Sequence, residues 1–218
     1  FAVYYDFLLE YNEKVNLTRS TEPLDVAVKH FADSLSLLQT GWLSPGGRVA
    51  DIGTGAGFPG IPLAIMRPDL RVVLVDSLRK RTVFLTEAVQ KLALVNVTVV
   101  WSRAEDLGRN PDFRERFDIV LARAVAELNV LTELCLPLAK PGGAFVAMKG
   151  PKAEAELAAA GRAITLLGGG GVAVVSATLP LLAETRTIIR IDKQRPTSAK
   201  YPRKAGIPER LPLSAVAK

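Results

Sequence analysis

The sequence predicts an α/β fold in which seven strands form a mostly parallel sheet with helices on its faces. Short apolar runs alternate with helical patterns along most of the chain, which is the order that βαβ units produce. The early strands are continuous runs of Val, Ile and Leu, as expected of strands buried on both faces of a parallel sheet. The last two strands follow each other without a helix, so we expect them to pair antiparallel at one edge.

Two helices precede the sheet, and we expect them to cap it rather than form a domain of their own. Residues 1–14 place aromatic and Leu side chains on one side of a helix. The second helix begins near Thr21, which can cap it, carries Pro23 in its first turn and stops at Gly41. We assign residues 1–42 to this N-terminal helical cap.

The strands and the helices between them follow in chain order. The strands are RVADIG, RVVLVD, VTVVW, FDIVLARA, GAFVAMKG, GVAVVSATL and ETRTIIRID. The helices are FPGIPLAIM, KRTVFLTEAVQKLAL, ELNVLTELCLPLA and KAEAELAAAGRAITLL. We assign residues 43–192 to this seven-stranded core and residues 193–218 to a basic C-terminal extension, so that residues 1–218 form a single domain.

The composition excludes several classes of protein. With 218 residues, 49% hydrophobic and 23% charged, the chain is suited to one globular domain. It contains no apolar run long enough for a membrane span and no recognisable leader, so we expect a cytoplasmic monomer with no membrane partner. One cysteine excludes an internal disulfide, and one histidine argues against a histidine-rich site, so no metal is expected.

The positive charge is concentrated near the C-terminus. The net charge is +6, and the segment from Arg186 onwards contains nine Lys or Arg and two Asp or Glu. The rest of the chain carries 19 basic and 20 acidic residues. Basic charge confined to one segment favours a polyanionic partner such as nucleic acid, although a solubilising tail has the same composition.

A glycine-rich turn follows the first strand in VADIGTGAGFPGIP. Its spacing is G-x-G-x-G, whereas the dinucleotide fingerprint G-x-G-x-x-G would place its third glycine at Phe58. The carboxylate of Asp51, at the end of the strand, would repel a phosphate but suits a cationic ligand. S-adenosylmethionine carries a sulfonium and an ammonium group and no phosphate. The turn therefore favours this cofactor over NAD. The alternative is that the segment is a tight turn that binds no ligand.

The ends of the next two strands add the features of an adenosine site. Asp76 ends the second strand, where an acidic side chain can accept hydrogen bonds from both ribose hydroxyls. Ser77 and Leu78 follow it and are expected to line the ribose and the adenine edge. Ala104 and Glu105 come after the third strand and are expected beside the adenine, although Glu105 also suits a helix N-terminus.

Eight short motifs are spread from about Asn16 to Leu213. They are NLT (16–18), HFADSL (30–35), DIGTGAGFPGIP (51–62), DSLRKR (76–81), RAEDL (103–107), ARAVA (122–126), KG (149–150) and KYPRKAG (200–206). In this order they closely resemble the glucose-inhibited division protein B family, RsmG, whose members methylate guanine N7 in bacterial 16S ribosomal RNA. The resemblance implies a Rossmann-like, seven-stranded S-adenosylmethionine-dependent methyltransferase fold and a partner that is 16S ribosomal RNA or the 30S subunit.

The resemblance also implies a set of site residues. The expected cofactor contacts are Gly53, Phe58, Asp76, Ser77, Leu78, Ala104, Glu105 and Arg123. From their positions near strand ends, in the helical cap or in the basic segment, and not from the resemblance, we expect RNA contacts from His30, Lys149, Arg186, Lys200, Arg203 and Lys204. We take Arg123 and Lys149 as candidate catalytic residues, because they follow strand ends, where ligands collect in open α/β sheets. With Asn16 and Asp33, His30 is expected to cover the cofactor or the target base, although packing beneath the cap is an alternative.

Methylation at guanine N7 demands few catalytic groups. The N7 lone pair is already nucleophilic and no proton is lost, so the enzyme needs no general base. Positioning alone can supply about 7–11 kcal/mol. Cys135 lies in an apolar helix and is expected to be structural rather than nucleophilic. The fourth strand is followed by ARAVAE and not by the Asn/Asp-Pro-Pro-aromatic tetrapeptide that exocyclic-amine methyltransferases usually carry.

Two other functions remain open from the sequence. A non-catalytic RNA-binding protein would keep the adenosine pocket and the basic segment. An NAD-dependent oxidoreductase would share the sheet, but it would need a glycine in place of Phe58 and a hydride-relay pair such as Tyr-x-x-x-Lys. The sequence contains neither.

Overall fold

A computed structural model describes residues 1–123, 126–179, 181 and 185–214. The strands are β1 (Arg48–Ile52), β2 (Arg71–Asp76), β3 (Val97–Trp101), β4 (Phe117–Arg123), β5 (Ala139–Lys149), β6 (Gly169–Thr178) and β7 (Thr185–Lys193). The α-helices are α1 (Ala2–Asn12), α2 (Pro23–Val26), α3 (Asp33–Leu35), α4 (Gly60–Met66), α5 (Arg79–Lys91), α6 (Ala104–Leu107), α7 (Leu128–Cys135), α8 (Ala153–Leu166) and α9 (Ile207–Arg210).

The strands form one sheet in the order β3-β2-β1-β4-β5-β7-β6. The pairs among β1 to β5 are parallel, and β7 runs antiparallel to both β5 and β6. The predicted fold, including the antiparallel pair at one edge, is confirmed. The strand order reverses direction between β1 and β4, so a crevice opens there at the carboxyl ends of the parallel strands.

Burial follows the position of each strand in the sheet. Strands β1, β2 and β4 are almost wholly buried, as their apolar runs predict. Strands β3 and β6 lie at the two edges and are partly or largely exposed. Val172 and Val174 of β6 are exposed although their sequence resembles that of a buried strand, because β6 has a neighbour on one side only.

Residues 23–40 form one continuous helical segment. It contains α2, a π-helical turn (Ala27–Ala32), α3 and a 3-10 turn (Ser36–Thr40). The segment ends at Gly41, which has a left-handed φ of 70°, so the predicted end of the second helix is confirmed. A π-helical turn widens the helix and is frequent at functional sites.

The first helix packs against the glycine turn and α5. The Tyr4 hydroxyl of α1 donates a hydrogen bond to the Ala56 carbonyl in the turn. The ring of Phe7 stacks on that of Phe84 in α5, with centroids 5.5 Å apart. The helical cap therefore supports the turn after β1 from one side.

The segment after β7 folds back onto the core. The Arg114 guanidinium donates hydrogen bonds to the carbonyls of Thr197, at 2.6 Å, and Tyr201, at 2.8 Å. The Thr197 amide donates to Oε1 of Glu115 at 2.7 Å. The predicted basic extension is thus held by core side chains over residues 197–201.

Parts of three predicted segments fall outside the described residues. They are position 184 of the last predicted strand, positions 124 and 125 of the ARAVA motif, and residues 215–218. Within the described ranges, no helix is both long and apolar enough to cross a membrane. The same ranges contain no group of three His, Cys, Asp or Glu side chains that could hold a metal ion.

Candidate active site

A buried carboxylate holds the glycine turn. Asp51 is fully buried, and its Oδ2 accepts hydrogen bonds from the Thr54 hydroxyl at 2.6 Å and the Gly60 amide at 2.8 Å. Burial raises the pKa of Asp51 to about 6. Asp51 therefore binds its own turn through Oδ2, while its Oδ1 is buried without a hydrogen-bond partner among the described residues, and the expectation that it faces a cationic ligand stays a prediction.

Three glycines set the path of the turn. Gly53, Gly55 and Gly57 have φ angles of 67°, 62° and 96°, in a region that residues other than glycine rarely adopt. This path brings the Gly53 amide to the Val75 carbonyl at 2.9 Å and the Gly55 amide to Oδ2 of Asp76 at 3.0 Å. The turn after β1 is thereby joined to the end of β2.

Gly60, at the start of α4, has no room for a side chain. An added Cβ would lie 2.2 Å from Leu74 Cδ2 and 2.9 Å from Asp51 Oδ2. We expect Gly60→Ala to lower the free energy of unfolding by about 1–3 kcal/mol, as overpacking does, in urea denaturation. An added Cβ at Gly161 in α8 would meet no atom within 4 Å, so Gly161→Ala should stabilise by about 0.5–1 kcal/mol. Equal stability of the two variants would contradict this packing.

A pocket of about 230 Å³ opens at the ends of β1, β2 and β3. Its lining includes five of the predicted cofactor residues, which are Gly53, Asp76, Ser77, Ala104 and Glu105. Ile52, Val130 and Leu134 add apolar surface to the lining. A partly apolar pocket lined by two buried carboxylates, Asp76 and Glu105, fits an adenosine, whose base is flat and whose ribose carries two hydroxyls.

Asp76 is the more deeply buried of the two buried carboxylates that line this pocket. It is only 3% exposed, and its Oδ1 and Oδ2 accept hydrogen bonds from the amides of Leu78, at 2.9 Å, and Gly55, at 3.0 Å. Arg81 Nη1 lies 3.4 Å from Oδ2. An ionised carboxylate has about four acceptor positions, so Asp76 can accept two ribose hydroxyls when a ligand displaces the long contact of Arg81.

Three predicted cofactor residues do not line this pocket. Phe58 is buried, and its ring lies between those of His30 and Tyr4, with centroids 4.7 and 5.4 Å away. Leu78 is the residue that precedes α5, and its side chain is largely exposed. Arg123 extends over the Phe58 ring, with its guanidinium carbon 5.3 Å from the centroid.

A second cleft, of about 460 Å³, lies at the ends of β4 and β5 and the start of β7. It brings together four of the predicted RNA-binding or catalytic residues, which are His30, Arg123, Lys149 and Arg186. Lys29 and Asp33 also line it. With four cationic side chains and one carboxylate, the cleft has the charge that suits a phosphate-bearing ligand.

Asp33 organises the guanidinium groups of this cleft. Its side chain is 3% exposed, and its Oδ2 accepts from Arg123 Nη1 at 2.9 Å. Its Oδ1 accepts from Arg186 Nε at 3.1 Å. Arg123 Nη1 also donates to the Lys29 carbonyl at 3.1 Å. One carboxylate of the helical cap thus joins the end of β4 to the start of β7.

Lys149 links the cleft to the adenosine pocket. Its side chain is buried, and Nζ lies 2.6 Å from both the Ala126 carbonyl and Oε2 of Glu156 in α8. Ala126 lines the adenosine pocket, whereas Lys149 lines the cleft. Glu156 Oε2 also accepts from the Leu128 amide at 2.9 Å, at the start of α7. The ammonium of Lys149 therefore holds Ala126 and, through Glu156, the start of α7.

His30 is an uncharged member of the cleft. Its Nε2 lies 2.8 Å from the Thr18 hydroxyl, and its Nδ1 lies 3.1 Å from the Lys29 carbonyl. Burial, and then the guanidinium of Arg123, lower the pKa of His30 to about 4. At neutral pH the ring is consequently neutral, so it contributes a flat surface and hydrogen bonds rather than positive charge.

The titration of His30 is directly measurable, because the chain contains one histidine. We expect its imidazole NMR signals to titrate near pH 4 in the folded protein and near 6.5 in urea. Between these values the unfolded chain binds a proton that the folded protein does not, so this group lowers stability as the pH falls from about 6.5 to about 4. A folded-state midpoint near 6.5 would contradict the burial of this ring.

The predicted RNA-binding residues of the C-terminal segment do not join the cleft. Lys200 and Lys204 are exposed, and neither they nor Arg203 line the two pockets. The Arg203 guanidinium instead points inward and pairs with Glu133 of α7, with Nη2 2.6 Å from Oε2. Lys200 and Lys204 thus present their charges to solvent, whereas Arg203 is paired with a buried carboxylate.

Comparison with known proteins identifies the family. The model of the GidB family, described as rRNA small subunit methyltransferase G, matches residues 1–186. The chain belongs to this family. Relatives named ribosomal RNA small subunit methyltransferase G include one from Lactobacillus delbrueckii subsp. bulgaricus, 51% identical over 98% of this chain and 90% of its own length. One from Pelotomaculum thermopropionicum is 50% identical over 98% of this chain and 89% of its own.

Solved structures support the same fold. A SAM-dependent methyltransferase from Aquifex aeolicus has a TM-score of 0.55 and 21% identity, covering 78% of this chain and 93% of that one. Precorrin-6y C5,15-methyltransferase from Geobacter metallireducens has a TM-score of 0.55 and 17% identity, covering 83% and 92%. The GidB family and this fold agree with S-adenosylmethionine as the predicted cofactor.

The sequence did not predict several residues that line the pocket at the ends of β1, β2 and β3. Pro208 and Glu209 line it from α9, and Val130 and Leu134 line it from α7. The Gly206-Ile-Pro208 sequence is a signal for a helix start, and the structure has a helix there. That signal predicts the helix but not its place beside the pocket, because the contact joins residues far apart in the chain.

Proposed function

We propose that the protein transfers a methyl group from S-adenosylmethionine to N7 of a guanine in 16S ribosomal RNA, as a cytoplasmic monomer acting on the RNA or on the 30S subunit. The observation that carries the proposal is the adjacency of two sites of different chemistry. An adenosine-sized pocket with buried Asp76 meets a cationic cleft through the contact of Lys149 with Ala126. A methyl donor and an anionic polymer would meet at that contact.

Each side chain in the proposal has a physical role. Asp76 would accept hydrogen bonds from the ribose hydroxyls, and the glycine turn would leave space for the amino-acid part of the donor. Arg123 and Arg186 would hold a phosphate or the guanine face, and the neutral ring of His30 would pack beside the base. The bound donor supplies an electrophilic methyl group on sulfur, and the chain supplies position.

No residue has to remove a proton in this proposal. The N7 lone pair lies in the plane of the ring, and methylation leaves no proton to be taken up. The neutral state of His30 and the pairing of Lys149 with Glu156 are compatible with that requirement. The target base would have to be unpaired or flipped out to reach the cleft, because a stacked guanine cannot enter it.

The experiment is methyl transfer from labelled S-adenosylmethionine to 30S subunits and to naked 16S RNA. We expect N7-methylguanosine in the nuclease digest by mass spectrometry. Arg123→Ala should lose transfer while it retains cofactor binding. Arg116→Ala, at the opposite end of β4, is the matched control and should retain transfer. Label on another atom, or none with either substrate, would refute the proposal.

The remaining alternatives are separated by two further measurements. Tight RNA binding without transfer would favour a non-catalytic RNA-binding protein that keeps an adenosine pocket. Calorimetry with NAD and with S-adenosylmethionine tests the oxidoreductase hypothesis, which predicts that NAD binds the more tightly.

A further inference from the structure

The basic segment after β7 carries one arginine whose charge is directed into the protein. Arg203 forms a forked ion pair with Glu133, in which Nε lies 3.0 Å from Oε1 and Nη2 lies 2.6 Å from Oε2. The Arg203 amide also donates to Oε1 at 2.8 Å, and Nη2 donates to the Leu211 carbonyl at 2.7 Å. Glu133 has no exposed surface, so this pair is a fixed buried contact and not a surface one.

The ion pair lies on the same helix as one wall of the cofactor pocket. Val130 and Leu134 of α7 line the pocket, and Glu133 is their neighbour on that helix. Anchoring Arg203 to Glu133 therefore ties the C-terminal segment to the wall that would contact the adenosine.

Downstream of the ion pair, the segment reaches the pocket itself. The Gly206 amide donates a hydrogen bond to Oε1 of Glu105 at 2.8 Å, and Glu105 lines the pocket. Gly206 has a left-handed φ of 79° and starts α9, from which Pro208 and Glu209 line the pocket. The segment thus completes a side of the pocket that the sheet leaves open.

We propose that residues 203–209 form the outer wall of the cofactor pocket and that Arg203 and Glu133 are positioning residues for S-adenosylmethionine binding. This inference rests on the proposed function only for the identity of the cofactor. It replaces the sequence-based expectation that Arg203 contacts RNA. Lys200 and Lys204 keep that expectation, since their ammonium groups have no partner within the described part of the chain and are exposed.

The test compares Arg203→Ala with Lys204→Ala. The second substitution is the control, because it removes a positive charge from the next residue of the same segment. In calorimetry without RNA, Arg203→Ala should weaken binding of S-adenosylmethionine and S-adenosylhomocysteine at least tenfold, and Lys204→Ala less than twofold. In steady-state assays, Arg203→Ala should raise KM for the cofactor while KM for RNA is unchanged. Lys204→Ala should weaken RNA binding and flatten its salt dependence.

A double-mutant cycle with Glu133→Gln tests the pairing. Because both side chains make one interaction, the double variant should bind the cofactor about as weakly as Arg203→Ala alone. Arg203→Lys should restore little, since an ammonium cannot form the fork. Unchanged cofactor affinity in Arg203→Ala, with RNA affinity reduced as in Lys204→Ala, would overturn the inference.

Hydrogen exchange on the wild-type protein keeps the test independent of variant folding. Saturating S-adenosylmethionine should slow amide exchange in residues 203–211 as well as in the glycine turn. Protection of the turn alone would overturn the wall assignment. A failure of the proposed function is distinguishable, because it would appear as cofactor binding with no methyl transfer to RNA.

Discussion

Asp76→Ala is expected to weaken S-adenosylmethionine binding by about 100-fold or more. Hydrogen bonds to a charged group contribute about 1.5–3 kcal/mol each, and Asp76 can accept two from a ribose that displaces the long contact of Arg81. About 1.4 kcal/mol corresponds to a factor of ten in affinity, so the loss of both gives at least this change. The substitution also frees the Gly55 amide, which loosens the glycine turn. Calorimetry measures the effect.

Asp69→Ala is the matched control for Asp76→Ala. Asp69 pairs with Arg67 at the opposite end of the sheet, just before β2 begins, and it does not line the pocket. We expect the Asp69→Ala variant to bind the cofactor with the affinity of the wild type. RNA affinity should be nearly unchanged in both variants. Cofactor binding that survives Asp76→Ala within threefold would contradict the adenosine assignment.

Asp33→Asn is expected to have the largest effect on stability. It removes the negative charge that pairs with both the Arg123 and the Arg186 guanidinium. Breaking a buried pair costs about 3–5 kcal/mol, and we expect the lower end of this range because both guanidiniums keep some contact with solvent. Urea denaturation measures the loss. Methyl transfer should fall with it, because Asp33 sets the position of the cleft arginines.

Asp25→Asn, in the same helical segment, separates this effect from a general loss of helix charge. Asp25 pairs with Lys29 at 2.9 Å, but the two side chains are 41% and 33% exposed. An exposed pair of this kind contributes about 0.2–1 kcal/mol. Equal destabilisation by the two substitutions would mean that the buried position of Asp33 has no energetic consequence.

Local sequence signals predicted the fold, and nine of the fourteen site residues expected from the sequence line the pocket or the cleft. The glycine turn, Asp76 and Ala104 follow strands directly, so a strand assignment suffices to place them at one edge of the sheet. Arg123 and Phe58 illustrate what such signals cannot give. Both are near the predicted site, but the helical cap directs Arg123 to Asp33 and covers Phe58 with His30, through contacts made by distant parts of the chain.

Net charge gave an incomplete picture of the C-terminal segment. Counting side chains cannot distinguish Lys204, which is exposed, from Arg203, which is paired with Glu133. Lys193 is a further example, since it is buried and its Nζ donates to the Leu136 carbonyl at 2.7 Å. The direction of each charge depends on which core groups the returning chain meets, and no local pattern encodes that.

The shared carboxylate of Asp33 affects how binding responds to ionic strength. When a protein neutralises RNA phosphates, the cations bound to those phosphates are released. The salt dependence of binding therefore grows with the number of phosphates that the protein neutralises. In the cleft, an internal anion already offsets part of the charge on Arg123 and Arg186. A plot of log affinity against log salt should therefore have a shallower slope than the number of cationic side chains touching the RNA would give.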